Sequence, residues 1–258
     1  MSRLRARCPD CRTLTAVAVG PEYQCHSCGR EFGAGLVRVP RAWGAGGDRM
    51  AEAAWLELPY PEAFVVAEET LAEQSLALAA GLPERPLVLG GCCCAHVGAV
   101  EGLAQRTEAL GIVWLDAHGD LNTTETSPSG NAWGMPLRML IDGGSVAPQR
   151  VALVGARSLD PPEPEFLRSS AVHTGEGSPE RALEGVDAVY VALDCDVVEP
   201  GELEVFMPEP DGPRLDELEA LLRRVAALRP VAGAGLTGLV GDSANVPRLE
   251  RLCAALGL

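Results

Sequence analysis

Apolar residues in this chain collect into short runs separated by polar, Gly- and Pro-rich stretches, and the runs follow two different periods. Unbroken apolar runs at Pro86–Leu89, from Ile112 onward, at Val151–Ala156, just before Asp194 and at 231–240 have the length of buried strands. Between them, residues 62–81 show helical periodicity with Gly81 as a stop, a further helix falls near 98–109, residues 214–228 form an amphipathic helix, and 244–256 close the chain with another. Strands alternating with helices predict an α/β architecture, a mainly parallel sheet covered on both faces, with any site in the crevice beyond the strand C-terminal ends. The front of the chain follows a different pattern, since TLTAVAVGPEYQ reads as a short hairpin turning at Gly20-Pro21.

Two of the apolar runs end in acids. After Ile112, Asp116, His118 and Asp120 alternate at i, i+2 and i+4, so an extended backbone turns all three to one side. Asp194 and Asp196 end the second run with the same two-residue spacing. Asp is depleted within strands, and carboxylates gathered at strand ends with an imidazole suit a divalent cation of the manganese or zinc type. The bland alternative is helix capping by Asp and His after a strand. The second acidic pair tips the balance toward a binuclear metal site.

DAHGDLNTTETSPSGNAWGMPL together with ALDCDVVEP resembles the arginase, agmatinase and formimidoylglutamase family of ureohydrolases, and TSPSGN is most similar to the bacterial arginases. The resemblance is spread over most of the chain after residue 42. It implies a three-layer αβα arginase-like fold and hydrolysis of a C–N bond in a small guanidino or amidino compound by a hydroxide shared between two divalent ions. Carried over residue by residue, Asp116 and Asp194 bridge the ions, His118 and Asp196 serve one, and Asp120 with Cys93 the other. Asp120 also accepts the proton for the leaving amine. Asn122, Ser127, Ser129 and Asn131 fall on the loop that holds the α-carboxylate end of arginine, and Asp160 on the position that reaches the amino group. Ordinary turn chemistry is the competing reading for these five. Family members commonly form trimers or hexamers; the sequence marks no interface.

Four positions depart from that pattern. Cys92 and Cys93 stand where a GGDH motif has its Asp and its ligand His, so Cys93 binds as a thiolate, His96 substitutes from the next helical turn, or the site is weakened. The plain reading of Cys92, Cys93 and Cys94 is three small buried hydrophobes. Trp133 replaces a His that shuttles protons, and Gly238, or Thr237 if the register moves by one, stands where a glutamate binds guanidinium. Manganese is the expected metal, with zinc or iron favoured at Cys93. Weak arginine hydrolysis follows, and the alternative is a catalytically degenerate family member that binds metal or ligand. Restoring Cys93→His, Trp133→His and Gly238→Glu together is expected to raise activity.

Composition separates the two ends. All 21 basic residues are arginine, and the net charge of −15 excludes a nucleic-acid surface over the bulk of the protein. Residues 1–42 hold seven Arg against three acids, whereas the remainder holds fourteen against thirty-three. In that front segment Cys8-Pro-Asp-Cys11 and Cys25-His-Ser-Cys28 are two CxxC knuckles thirteen residues apart, the tetrathiolate spacing of structural zinc. A zinc ribbon over 1–38 and a ureohydrolase-like domain over 39–258 are therefore expected, disulfides being the alternative. GAGG at 44–47 lacks the frame of a phosphate loop and reads as a plain loop. The chain shows no run long enough to span a membrane and no secretory apolar segment near its start, so a cytoplasmic location is expected.

Overall fold

The computed structural model describes residues 5–258 apart from Pro9, Arg12, Gly20, Pro21 and Ala34; the Gly20-Pro21 turn expected in the hairpin lies outside the described residues. Four short strands, β1 (Arg5–Ala6), β2 (Ala16–Val19), β3 (Glu22–Cys25) and β4 (Glu31–Gly33), form an antiparallel sheet in sequence order. Among the described residues, the core of this small sheet is Ala6, Cys8, Ala16, Tyr23 and Cys25. Apolar burial on that scale is too little to hold forty residues folded unaided. Its link to the larger body includes a bond from the Arg7 backbone N–H to the Pro59 carbonyl and an ion pair between Arg7 and Glu250 at 3.2 Å.

The larger sheet has seven strands: β5 (Leu36–Val39), β6 (Glu62–Val65), β7 (Leu87–Gly90), β8 (Leu110–Leu115), β9 (Val151–Val154), β10 (Ala188–Asp194) and β11 (Val231–Thr237). Their order is β6-β5-β7-β11-β10-β8-β9, and every pairing is parallel. Strand β5 already lies in this sheet. Helices α1 (Asp48–Ala53), α2 (Leu71–Gly81), α3 (Ala95–Ala104), α4 (Pro136–Asp142), α5 (Glu163–Ser169), α6 (Ser178–Ala182), α7 (Leu215–Leu228) and α8 (Val246–Ala255) complete the chain.

The sheet is apolar on both faces, which is why its strands read as unbroken runs without alternation. Val113 and Leu115 of β8 join one core with Leu218, Leu222 and Val225 of α7 and Leu249 and Leu252 of α8. Ile112 and Trp114 point the other way, into a core with Leu78 of α2, Val100 and Leu103 of α3, and Leu137 and Leu140 of α4. The architecture is the expected three-layer αβα arrangement with a parallel sheet.

Several boundaries differ from the periodicity. Residues 62–65 are not helical but form the edge strand β6, registered on β5 and tied to it by Arg38 Nε donating to Glu62 Oε2 at 2.6 Å. The helix begins at Leu71 because Thr70 and Glu73 form a reciprocal capping box, a start signal inside what reads as one continuous period. Helix α3 starts earlier than expected, at Ala95, with Cys94 as its N-cap residue. Strand β11 stops at Thr237 because Gly238 takes φ +71°, and β9 stops at Val154 before Gly155 at φ +93°.

Candidate metal and substrate site

Neighbouring strands β7, β11, β10 and β8 bring their C-terminal ends together, with Leu89 opposite Leu236, Thr237 opposite Asp194 and Leu193 opposite Leu115. The residues just past those ends line one cavity of about 320 Å³. Its lining includes Cys93, Asp116, His118, Asp120, Asp194 and Asp196, and also Asn122, Ser127, Ser129, Asn131 and Asp160. Residues far apart in the sequence thus share one chamber because parallel strands end at one edge.

Two trios have ligand atoms within 4.8 Å of one another: Cys93, Asp116 and Asp120; and Asp116, His118 and Asp196. Asp116 belongs to both. It accepts from the backbone N–H of His118 at 2.7 Å and from the Trp114 indole N–H at 3.2 Å. His118 Nδ1 stands 3.0 Å from Asp196 Oδ2 and 3.4 Å from Asp116 Oδ1. Asp194 belongs to neither trio but accepts from the Cys93 thiol at 2.8 Å. Asp120 Oδ2 is buried with no hydrogen-bond partner. A carboxylate oxygen orphaned among other carboxylates is a costly arrangement that a cation resolves.

The electrostatics express the same crowding. Burial, then Asp116 and Asp194, hold Asp120 well above the usual carboxylate range; burial, then Asp196 and Asp116, do so for Asp194. Asp196 is pushed up to about 6 by burial and by Asp116. Burial also works against ionising Asp116, yet the hydrogen bonds and charge of His118 outweigh it and bring that group down. For His118 burial opposes the charge, and its contacts with Asp116 and Asp196 prevail, raising it to about 12. Burial first, then Asp194, Asp120 and Asp116, drive the Cys93 thiol well up.

A pH dependence follows for the metal-free protein. Asp120, Asp194 and Asp196 keep protons in the folded state that the unfolded chain releases near 3.8, so their stability contribution is present at low pH and lost as pH rises, through about 6 for Asp196. His118 adds the same sign, fully present below 6.5 and lost as pH climbs toward about 12; Asp116, being lowered, acts in the opposite direction. Three raised acids and a raised imidazole outnumber one lowered acid. Thermal melts of the chelator-treated protein are expected to give a lower Tm at pH 8 than at pH 5, with a shallower slope in Asp120→Asn. A Tm that rises over this interval would contradict the arrangement.

His96, a candidate substitute ligand, does not reach the cluster. It is fully buried, with Nδ1 at 3.0 Å from the Tyr190 hydroxyl and Nε2 at 3.2 Å from Thr237 Oγ1, and burial pushes it down to about 3. Thr237 sits between His96 and Cys93, at 3.3 Å from the Cys93 sulfur. Asn122 donates to Asp160 Oδ2 at 2.7 Å, so these two candidate residues act as one unit. Ser127 Oγ accepts from the Gly130 N–H, Ser129 Oγ from the Asn131 N–H, and Asn131 Oδ1 from the Ala45 N–H. These three form a braced rim.

Two acids at the site escaped the sequence reading. Glu163 is buried, accepts from the Leu121 N–H at 2.9 Å and from the Asp160 N–H at 2.7 Å, and thereby holds Asp120 in place at φ +55°. Its signal was the capping-box spacing Asp160-x-x-Glu163. Glu209 Oε1 lies 3.6 Å from His118 Nε2, on the far side of the ring from Asp196. It comes from a Pro-rich loop with no periodicity, and no sequence pattern marks it.

At the other end of the molecule, Cys8, Cys11, Cys25 and Cys28 also bring their four sulfurs within 4.8 Å of one another. The Cys8–Cys28 and Cys11–Cys25 sulfurs are 3.6 and 3.5 Å apart, so they are thiols and not disulfides. Hydrogen bonding from Thr15 is the largest influence drawing Cys25 down to about 5, toward the thiolate that binds metal.

A profile of the arginase family matches residues 56–238. Arginase from Bacillus caldovelox is 36% identical over 143 residues, 45% of this chain and 48% of that protein. Arginase from Bacillus subtilis (strain 168) is 36% identical over 142 residues, 45% of this chain and 48% of that protein. The alignments thus span about half the length of these curated relatives. Among solved structures, arginase from Bacillus subtilis superposes with a TM-score of 0.76 at 23% identity, covering 86% of this chain and 97% of that one. Formimidoylglutamase from Bacillus subtilis gives 0.69 at 18% identity, covering 87% of each. At such identities the structural likeness bears on the fold alone.

Proposed function

The chain belongs to the arginase family, and from that premise we propose that it is a metal-dependent hydrolase cleaving a C–N bond of a small guanidino or amidino compound, with little activity on arginine. The observation that carries this reading is the pair of ligand trios sharing Asp116 inside one cavity. The donor set fits two divalent ions: carboxylates that repel one another when ionised, an orphaned Asp120 oxygen and an imidazole turned toward two of the acids. Cys93, Asp116 and Asp120 would hold one ion and Asp116, His118 and Asp196 the other, with Asp194 beside Cys93 as a further donor. When bound, such ions supply Lewis acidity and lower the pKa of a shared water. Manganese is favoured by the carboxylates, zinc or iron by the Cys93 sulfur.

The chain's own groups then divide the work. Asp120 is placed to take up a proton for the leaving amine, its position fixed through Glu163 and Leu121. Glu209 orients His118 from its outer nitrogen, the usual second partner of a ligating imidazole. Asn122 with Asp160, and the Ser127, Ser129 and Asn131 rim, face the outer part of the substrate. Cys93, Trp133 and Gly238 favour attenuated arginine chemistry, and they keep a second reading in play, a family member that binds metal or ligand without turnover. Assays of urea and ammonia release by the manganese- or zinc-loaded full chain, over guanidines and amidines, separate the two. Two bound divalent ions with no substrate turned over would reject the hydrolase.

We further infer that Cys8, Cys11, Cys25 and Cys28 hold one structural zinc, which would supply the stability that this small core does not. Elemental analysis of the full chain is expected to show one zinc fewer in Cys25→Ser than in wild type. Unchanged zinc content would remove the idea.

A further inference from the structure

Behind Cys93 the core holds three polar side chains that belong to neither ligand trio. His96 in the first turn of α3, Tyr190 of β10 and Thr237 at the end of β11 are all fully buried. Polar groups in such a place cost free energy unless they find partners. These find theirs in one line. The Tyr190 hydroxyl is 3.0 Å from His96 Nδ1, His96 Nε2 is 3.2 Å from Thr237 Oγ1, and Thr237 Oγ1 is 3.3 Å from the Cys93 sulfur.

The seat of the imidazole is built. A Cβ on Gly235 would lie 2.5 Å from both His96 Nδ1 and the Tyr190 hydroxyl, so β11 makes room for this pair only as glycine. The ring also stands edge-on to Trp114, with centroids 5.1 Å apart at 75°, and the Trp114 indole donates to Asp116. The line has one direction that suits every hydrogen. Burial keeps the imidazole neutral, so one ring nitrogen donates and the other accepts. With the Tyr190 O–H donating to Nδ1, Nε2 donates to Thr237, and the Thr237 hydroxyl hydrogen turns to the Cys93 sulfur. Its other acceptors, the Leu193 carbonyl at 3.4 Å and Asp194 Oδ2 at 3.5 Å, are more distant. The reverse order leaves the Tyr190 hydrogen without an acceptor in the line and takes the Cys93 hydrogen away from Asp194, to which it donates at 2.8 Å.

We propose that Tyr190, His96 and Thr237 are positioning residues for Cys93 as a metal ligand: the Thr237 hydroxyl, held by His96, donates to the sulfur, fixes its direction and tempers its electron donation to the ion. The inference rests on the proposed place of Cys93 in the ligand set. Ligating side chains are ordinarily steered by a hydrogen-bond partner behind them. The line keeps its direction whether Cys93 carries a hydrogen toward Asp194 or an ion takes that place, so the sulfur is aimed before metal arrives.

Cobalt(II) added to the full chain, with one equivalent of zinc already supplied for the four N-terminal cysteines, tests this. A thiolate ligand gives cobalt a sulfur-to-metal charge-transfer band, and the difference between wild type and Cys93→Ser isolates this sulfur's share. Thr237→Val keeps the shape and loses the hydroxyl. In it the band is expected to move to longer wavelength, because a sulfur without a hydrogen bond gives up electron density more easily, and one cobalt to bind about 10–100-fold more weakly. His96→Phe should shift the band the same way by less, and Thr237→Ser should restore it. A band identical in wild type and all three variants overturns the proposal and leaves Cys93 a ligand. A lower Tm in Thr237→Val with the band unmoved does the same, since that is what packing alone would give. Two cobalt ions bound in wild type without a Cys93-dependent band overturn the proposal and remove Cys93 from the ligand set. No cobalt in the main body overturns both the proposal and the metal-dependent reading.

Discussion

Manganese-loaded protein is expected to hydrolyse arginine roughly three to six decades more slowly than a site with histidines at Cys93 and Trp133 and a glutamate at Gly238. A positioned proton carrier contributes about two to four decades, and an indole cannot carry a proton near neutral pH. The absent charge-assisted partner for guanidinium removes about 1.5–3 kcal/mol, roughly one to two decades. The kcat/KM for urea release from arginine measures this, and a value in the common enzyme range of about 10⁴–10⁸ M⁻¹s⁻¹ would show that the substitutions are harmless. The structure also corrects the expected rescue. Gly238 sits at φ +71°, and a Cβ there would come 2.0 Å from Asp194 Oδ1, so Gly238→Glu drives its side chain into the acid cluster and should lower activity. Cys93→His with Trp133→His, leaving Gly238 alone, is the combination expected to raise arginine turnover, by up to the decades that a proton carrier supplies.

Asp116→Ala is expected to release both divalent ions from the main body, whereas Asp120→Ala should release one. The difference follows from membership: Asp116 lies in both ligand trios and Asp120 in one. A shared carboxylate also screens two like charges from each other, so its loss weakens each site beyond the bond it removes. Even indirect changes around a metal cost about 10–100-fold in affinity, and removal of a shared ligand should exceed that. Metal content after desalting is the measurement, read with circular dichroism to confirm folding. The metal-free variant should fold, because taking out one acid relieves the repulsion that raises its neighbours. An Asp116→Ala protein that retains two equivalents would dismiss the binuclear arrangement.

What the sequence disclosed depended on locality. Asp116, His118 and Asp120 directly follow an apolar strand, and Asp194 and Asp196 follow another, so composition along a few residues announces both the strands and the chemistry at their ends. The four N-terminal cysteines were legible for the same reason. Edge strand β6 was not, because Glu62–Val65 is only half buried and runs into a helix whose period continues through it. Nor was Glu209, which meets His118 only through a long loop whose path the fold decides. Gly238 shows a third limit: its backbone angle, not its residue type, forbids the glutamate, and no spacing reports an angle. Strand order likewise depends on packing between distant segments, and it is strand order that puts β11 between β7 and β10.

Arg157 gives these loops a common fate. Its guanidinium donates to the carbonyls of Gly155, Asp196, Val197, Glu209 and Pro210, which engages every N–H the side chain has. The acceptors belong to three loops, one carrying a ligand candidate and one the acid that steadies His118. Opening any of them breaks bonds that the others share, so amide protons in the three segments should exchange with solvent as one cooperative unit and not loop by loop. A flexible ammonium with three donors could not span five carbonyls. Rigidity in these three loops is therefore vested in one planar cation bonded to backbone carbonyls.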